Sequence, residues 1–214
     1  MTPVELAALA ASTSLLAGWR LYLVTLVTGL AMKFGYIALP QQLHSLDILT
    51  NNWVIGAAAI GTFAEFFADK IAWVDSAWDS VHSFIRPLGG ALLSAAIIDS
   101  SNPTWQVVSL LLGGGAAFVA HAGKAGARTL VNASPEPYSN IAVSTMEDVT
   151  TGGLLALAIA NPILAAFIAA FMVFLSFSLV IKARRAIKRV MDHLTPTPRD
   201  RPMKDITPPP SAPV

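Results

Sequence analysis

Asp75, Asp79, His82 and Arg86 stand four, three and four residues apart, in a stretch that reads as helix from Ala72 onward. At about 100° per residue, all four fall within roughly 60° of each other on one face. Trp73, Val74, Ala77, Trp78, Val81, Phe84 and Ile85 cover the other side. Two carboxylates and an imidazole at these spacings can ligate a divalent metal from a single helix. Arg86 on the same stripe opposes a cation, so the stripe reads better as an internal network of aspartates, histidine and arginine. No metal is assigned to it.

Further ionisable groups lie in or beside apolar segments: Arg20, Glu65, Asp69, Lys70, His121, Lys124 and Arg128, with Glu147 and Asp148 just before the last apolar run. His121, Lys124 and Arg128 share one helical side. Charge at membrane depth is costly and marks a substrate or ion path. The same residues at an interface snorkel cheaply and mark nothing. Both readings stay open, Arg20 included. If Arg20 and Arg128 face an internal cavity, acidic partners among Glu65, Asp69, Glu147 and Asp148 are expected within pairing reach.

Several chemistries are excluded or weakly supported. With no cysteine there is no disulfide, thiolate nucleophile or Cys-ligated metal. No nucleophile elbow, phosphate loop or HExxH pattern occurs, so an enzyme has little support and no cofactor is implied. A net charge of +1, without a basic run before residue 182, argues against a nucleic-acid partner.

The elements that must carry these groups are those of a membrane protein. Hydrophobic residues make up 54% of the 214 and charged ones 13%, where a soluble domain averages about 25% charged. The mean hydropathy is +0.60. The N-terminus carries Glu5 rather than a basic region, and its apolar pattern continues past Arg20, so it reads as retained. Leu6–Trp19 and Leu21–Met32 are each short for a span. They form one long helix with Arg20 inside it, or two part-helices meeting near Gly18. Residues 35–52 read as a connection, in which His44 is a solvated loop residue rather than a ligand. Trp53 to Phe67 begins the next span.

Leu88–Ile98 would reach only about 16 Å as helix, against roughly 30 Å of hydrocarbon. Either that helix extends back through Arg86 or it is re-entrant. Trp105–Ala120 is a span, and Gly113, Gly114 and Gly115 invite close approach of another backbone. Residues 132–148 read as a polar loop. Asn161-Pro162 divides the final apolar run, leaving Ile163–Ile181 as the firmest transmembrane helix. Lys182, Arg184, Arg185, Lys188 and Arg189 follow and place the C-terminus in the cytoplasm. A membrane domain of residues 1–189 is therefore followed by a disordered Pro-rich tail, 190–214.

Two echoes suggest an internal duplication. GGALLSAAIIDSSNP parallels GGLLALAIANP, and Ala17-Gly18-Trp19-Arg20 parallels Ala125-Gly126-Ala127-Arg128. The combination of AGWR, AEFFADK, WVDSAWDSVHSFIRPLGGALL, KAGAR and Met146-Glu147-Asp148 resembles a bacterial family of small multi-spanning membrane proteins, the domain of unknown function 4126. The resemblance covers residues 14–181. It implies an integral membrane protein and names no ligand. Its recurring polar positions match Arg20, Glu65, Asp69, Lys70, Asp75, Arg86, Arg128, Glu147 and Asp148 here.

The expectation is an all-α, polytopic transmembrane bundle of five or six segments, some part-length or re-entrant, in a bacterial inner membrane. Its partners are the bilayer and a small solute, with an anion favoured by the arginines and helix N-termini. Lipid-headgroup binding or scaffolding is the alternative. A membrane-embedded metal-dependent enzyme ranks third.

Overall fold

Asn-Pro occurs twice before an apolar run, and both pairs start helices by the same chemistry. Asn102 accepts from the Thr104 N–H (2.9 Å) and Asn161 from the Leu164 N–H (3.1 Å), each with proline in the first helical position. A proline there loses no hydrogen bond, because that N–H has no partner within the helix. Thr2 and Glu5 form a capping box at the first helix, and Asn51 caps the second.

The computed structural model describes residues 2–35, 41–98, 102–132 and 138–194. Six helices follow in order: α1 (Pro3–Lys33), α2 (Asn52–Ala68), α3 (Ala72–Ile98), α4 (Pro103–Asn132), α5 (Tyr138–Ala160) and α6 (Pro162–Leu194). A 3-10 segment, Gln41–Thr50, precedes α2. No strand occurs among the described residues. Residues Met1–Val180 form one compact unit and Ile181–Val214 a second, in which α6 continues to Leu194. The Pro-rich tail lies mostly beyond the described residues. The side chain of His44 is also outside them.

Among the described residues, four helical stretches are long and apolar enough to cross a membrane: Pro3–Lys33, Ala72–Ile98, Pro103–Asn132 and Pro162–Lys182. The apolar α2 is shorter, at 17 residues. Their outer surface has the polarity expected in lipid. Phe63 (68% exposed), Phe84 (76%) and Phe118 (53%) point outward, at the level where Glu65, Arg86 and His121 point inward and are buried. Water would reverse that arrangement.

Small residues bring the helices together. Gly90 and Ser94 of α3 pack against Gly113 and Ala117 of α4, and Gly18 of α1 sits on Ala117 and Ala120. α1 breaks at Arg20 (φ −143°, ψ 70°), so it is two part-helices joined at that residue. Before the break, the Ser14 hydroxyl donates to the Gly90 carbonyl at 3.0 Å. After it, Leu21 lies against Gly89 and Tyr22 against Gly61. Both arms therefore run beside α3.

Two expectations are corrected and one open alternative is resolved. Residues 35–52 are not wholly irregular, since Gln41–Thr50 is a 3-10 segment. α3 is continuous through Pro87 rather than re-entrant, which gives it the length to span. Residues 138–148 are not a loop but the first three turns of α5. Their turn-forming residues Asn140 and Ser144 are one turn apart and both buried against the polar interior, so tertiary contacts override local preference.

Candidate functional site

Helix ends and a helix break converge on one polar interior. The C-terminal end of α2 supplies Glu65, and the turn after it supplies Asp69 and Lys70. The first half of α3 supplies Asp75, Asp79, His82 and Arg86. The last turns of α4 add His121, Lys124 and Arg128, and α5 adds Glu147 and Asp148. Arg20 enters from the break in α1. Arg20, Arg86, Lys124 and Arg128 are all at most 3% exposed, as are Glu65, Asp69 and Asp75. The snorkelling reading of Arg20 does not describe this interior position.

Each cation is answered by carboxylates. Arg20 pairs with Asp69, lies 3.0 Å from Asp148 and 3.5 Å from Glu147, and donates to the Ser144 carbonyl at 3.2 Å. Lys124 Nζ sits 3.3 Å from Asp69 and 3.7 Å from Glu147. It also donates to the Trp19 carbonyl at 3.2 Å, an oxygen beside the helix break. A backbone carbonyl released at a break needs a donor when buried, and the ammonium supplies one. Arg128 engages both oxygens of Asp75 at 3.1 Å and donates to the carbonyls of Asn140 and Asp69. Arg86 holds Glu65 (2.5 Å) and Asp79 (3.0 Å). Four buried charges of each sign in one place are tolerable only because they compensate, since each ion costs several kcal/mol to desolvate.

The neighbours of both histidines place their ring hydrogens, and Arg86 keeps His121 neutral. A guanidinium can only donate, so His121 Nδ1 accepts from Arg86 at 2.6 Å and Nε2 carries the hydrogen. That Nε2–H points to Ser83 Oγ and the Asp79 carbonyl, both at 3.1 Å. His82 is the reverse. Its Nδ1–H donates to the Trp78 carbonyl at 2.8 Å, and Nε2 accepts from the Tyr22 hydroxyl at 3.0 Å. Asp75, Asp79 and His82 therefore share a face yet turn to different partners. Among the described residues no three His, Asp or Glu groups converge as a metal site would require.

Asp69 lies in the turn between α2 and α3. Burial alone would raise its pKa, but Lys124, Arg20 and Arg128 override burial and hold it down at about 2. Glu147 and Asp148, on α5 outside the four candidate spans, are instead pushed up by burial, with Lys124 and Arg20 only partly offsetting it. Lys70 is half-buried. Its ammonium sits 3.3 Å above the Phe66 ring centre and donates to the Phe66 carbonyl.

The network includes residues that sequence reasoning missed: Tyr22, Ser83, Asn132, Asn140 and Ser144. Asn132 donates to Asp75 at 2.6 Å. A signal existed in α5, where Asn140, Ser144, Glu147 and Thr151 recur at four-, three- and four-residue intervals on one helical face.

Two openings approach this interior. A polar cleft of about 320 Å³ between α3 and α4 is lined by Asp75, Ser76, Asp79, Ser80, Ser83, Arg128, Thr129 and Asn132. An apolar groove of about 700 Å³ lies among α1, α2, α3 and the 3-10 segment, with Tyr22 on its wall.

A bundle that is apolar outside, and charged but compensated inside, defines a polytopic α-helical membrane protein with a buried ion-pair network. The chain belongs to the family described as Domain of unknown function (DUF4126), whose model matches residues 7–182. Neither a curated protein nor a solved structure matches it.

Proposed function

We propose that the network handles a small anionic solute crossing the membrane, with the α3–α4 cleft as its approach and Arg128 as its receiving cation. The observation that carries this reading is the pairing of Arg128. It is 1% exposed, lines the cleft, and has Asp75 as its only ion-pair partner among the described residues. A solute anion that displaces Asp75 exchanges one ion pair for another at Arg128, and the freed Asp75 carboxylate, on the cleft wall, keeps the Asn132 amide at 2.6 Å. Ser76, Ser80 and Thr129 line the way with hydroxyls, which here donate to the helix carbonyls of Ala72, Ser76 and Ala125. The matching Ala-Gly contexts of Arg20 and Arg128 support a duplicated unit of the kind transporters use, with both arginines inside.

The test uses purified full-length protein in liposomes, with influx of chloride, formate or acetate followed by a trapped fluorescent indicator. Flux above empty liposomes is expected for at least one of the three and is abolished by Arg128→Gln. Wild-type liposomes no leakier than controls for any of them would sink the reading.

We further infer a bacterial inner membrane setting with a cytoplasmic C-terminus. Lys182, Arg184, Arg185, Lys188 and Arg189 are all exposed on α6 just past its apolar run. A reporter fused near residue 195 should be active in the cytoplasm and silent in the periplasm. The opposite result would invert every loop. The same basic face favours a second reading, binding of anionic lipid headgroups. Under it, Lys182 and its basic neighbours, changed together to Gln, would lose bound anionic lipid while Arg128→Gln would not.

A further inference from the structure

The charges that meet in the network do not sum to zero. Six carboxylates enter it (Glu65, Asp69, Asp75, Asp79, Glu147 and Asp148) against five cations (Arg20, Lys70, Arg86, Lys124 and Arg128). His121 adds nothing, because its Nδ1 accepts from Arg86, and His82 hydrogen-bonds neutral groups alone, the Trp78 carbonyl and the Tyr22 hydroxyl. An uncompensated charge in a buried cluster is costly. One proton on one carboxylate removes it.

The geometry distinguishes the six. Glu65 and Asp79 accept from Arg86, Asp69 from Arg20 and Lys124, and Asp75 from Arg128 and Asn132. Asp148 lies 3.0 Å from Arg20. Glu147 has the weakest hold. Its nearest cations, Arg20 at 3.5 Å and Lys124 at 3.7 Å, are both already engaged by Asp69. Its Oε2 is buried and without a hydrogen bond among the described residues.

A second observation points to the same place. The hydroxyl of Thr151, one helical turn further along the same face of α5, is wholly buried and has no hydrogen-bond partner among the described residues. A carboxylate is acceptor-only, whereas a carboxylic acid carries an O–H, and a hydroxyl can receive it. Protonation of Glu147 thus supplies a donor beside an idle acceptor. Water reaches two of the six carboxylates, Glu147 (16% exposed) and Asp148 (25%), and of these Asp148 is the one already held by Arg20 at 3.0 Å.

We propose that Glu147 is a proton-binding site, holding one exchangeable proton that balances the network in the folded protein at neutral pH. The groups facing it are Arg20 from α1, Lys124 and Arg128 from α4 and Asp69 from the α2–α3 turn, with Asp148 next to it on α5. This site goes beyond the anion reading and does not depend on it, because it requires no solute.

The test is infrared difference spectroscopy of the full chain in lipid nanodiscs across a pH titration, reading the C=O stretch of protonated carboxyl. A band equivalent to one carboxyl is expected at neutral pH, fading as pH rises. It should vanish in Glu147→Gln and fade in Asp148→Asn, which balances the charge without a proton. It should survive at a shifted frequency in Glu147→Asp, which keeps the charge and moves the carboxyl. Glu147→Gln, which copies the protonated form, should also keep or raise the wild-type melting temperature at neutral pH. The proposal is overturned if wild type shows no such band, as when sodium or potassium balances the charge. It is equally overturned if the band survives in Glu147→Gln, or if that variant melts lower or fails to fold.

Discussion

Replacing Arg86 by alanine is expected to destabilise the detergent-solubilised protein by about 3–5 kcal/mol, the largest loss of any single charge removal in the chain. Arg86 is 0% exposed and is held by Glu65, Asp79 and His121, which come from three different helices. Alanine removes all three bonds together. Two buried carboxylates are left without their main cation, and His121 Nδ1 is left without a donor. The whole network then carries excess negative charge. A neutral triple variant, Arg86→Met with Glu65→Gln and Asp79→Asn, should cost clearly less, because the desolvation penalty disappears along with the attraction. Thermal unfolding in detergent measures both. A single variant that melts like wild type would mean that water reaches the stripe and screens it, contrary to the burial found here.

How legible this was depends on whether the signal was periodic or contextual. The four-three-four spacing of Asp75, Asp79, His82 and Arg86 specified one helical face, and those four side chains are buried together on α3. The apolar run after Asn161-Pro162 specified a span with its start fixed by proline. The break at Arg20 was harder. Leu6–Met32 carries no proline, and the kink is held by partners far away in sequence, Asp69, Lys124 and Ser144. The start of α5 was obscured for a related reason. Ser139, Asn140, Ser144 and Thr145 favour turns when their hydroxyls and amides must bond locally. Here the Asn140 and Ser144 carbonyls instead receive arginines from α4 and α1, so the helical face is stabilised from outside. Continuity of α3 through Pro87 was ambiguous because the proline could equally have marked a re-entrant turn. Tertiary packing beside Gly89 and Gly90 decided it.

The three consecutive glycines of α4 provide the sharpest test of how packing supports the site, because each meets a different surrounding. A β-carbon on Gly113 would come 2.6 Å from the Gly90 carbonyl oxygen and 2.9 Å from Ser94 Oγ, both on α3. Backbone cannot swing aside, so α3 and α4 would have to separate. On Gly114 the nearest atoms would be the Pro87 carbonyl at 3.2 Å and Ala91 Cβ at 3.3 Å, a tight fit that a small shift relieves. On Gly115 nothing lies within 4 Å. Alanine at the first should therefore cost about 1–3 kcal/mol by overpacking, and at the second less. At the third, alanine should be neutral or stabilising by up to about 1 kcal/mol, since glycine is the poorer helix former. Gly113→Ala has a consequence beyond packing. Arg86 donates to His121 from α3, and Arg128 reaches Asp75 from α4, so a wider α3–α4 spacing stretches both links at once. Melting temperatures in detergent should rank Gly113→Ala below Gly114→Ala, and Gly114→Ala below wild type, with Gly115→Ala at or above it. A rigid α3–α4 contact requires that order, and equal melting of Gly113→Ala and Gly115→Ala would show that the two helices are not locked together at Gly90.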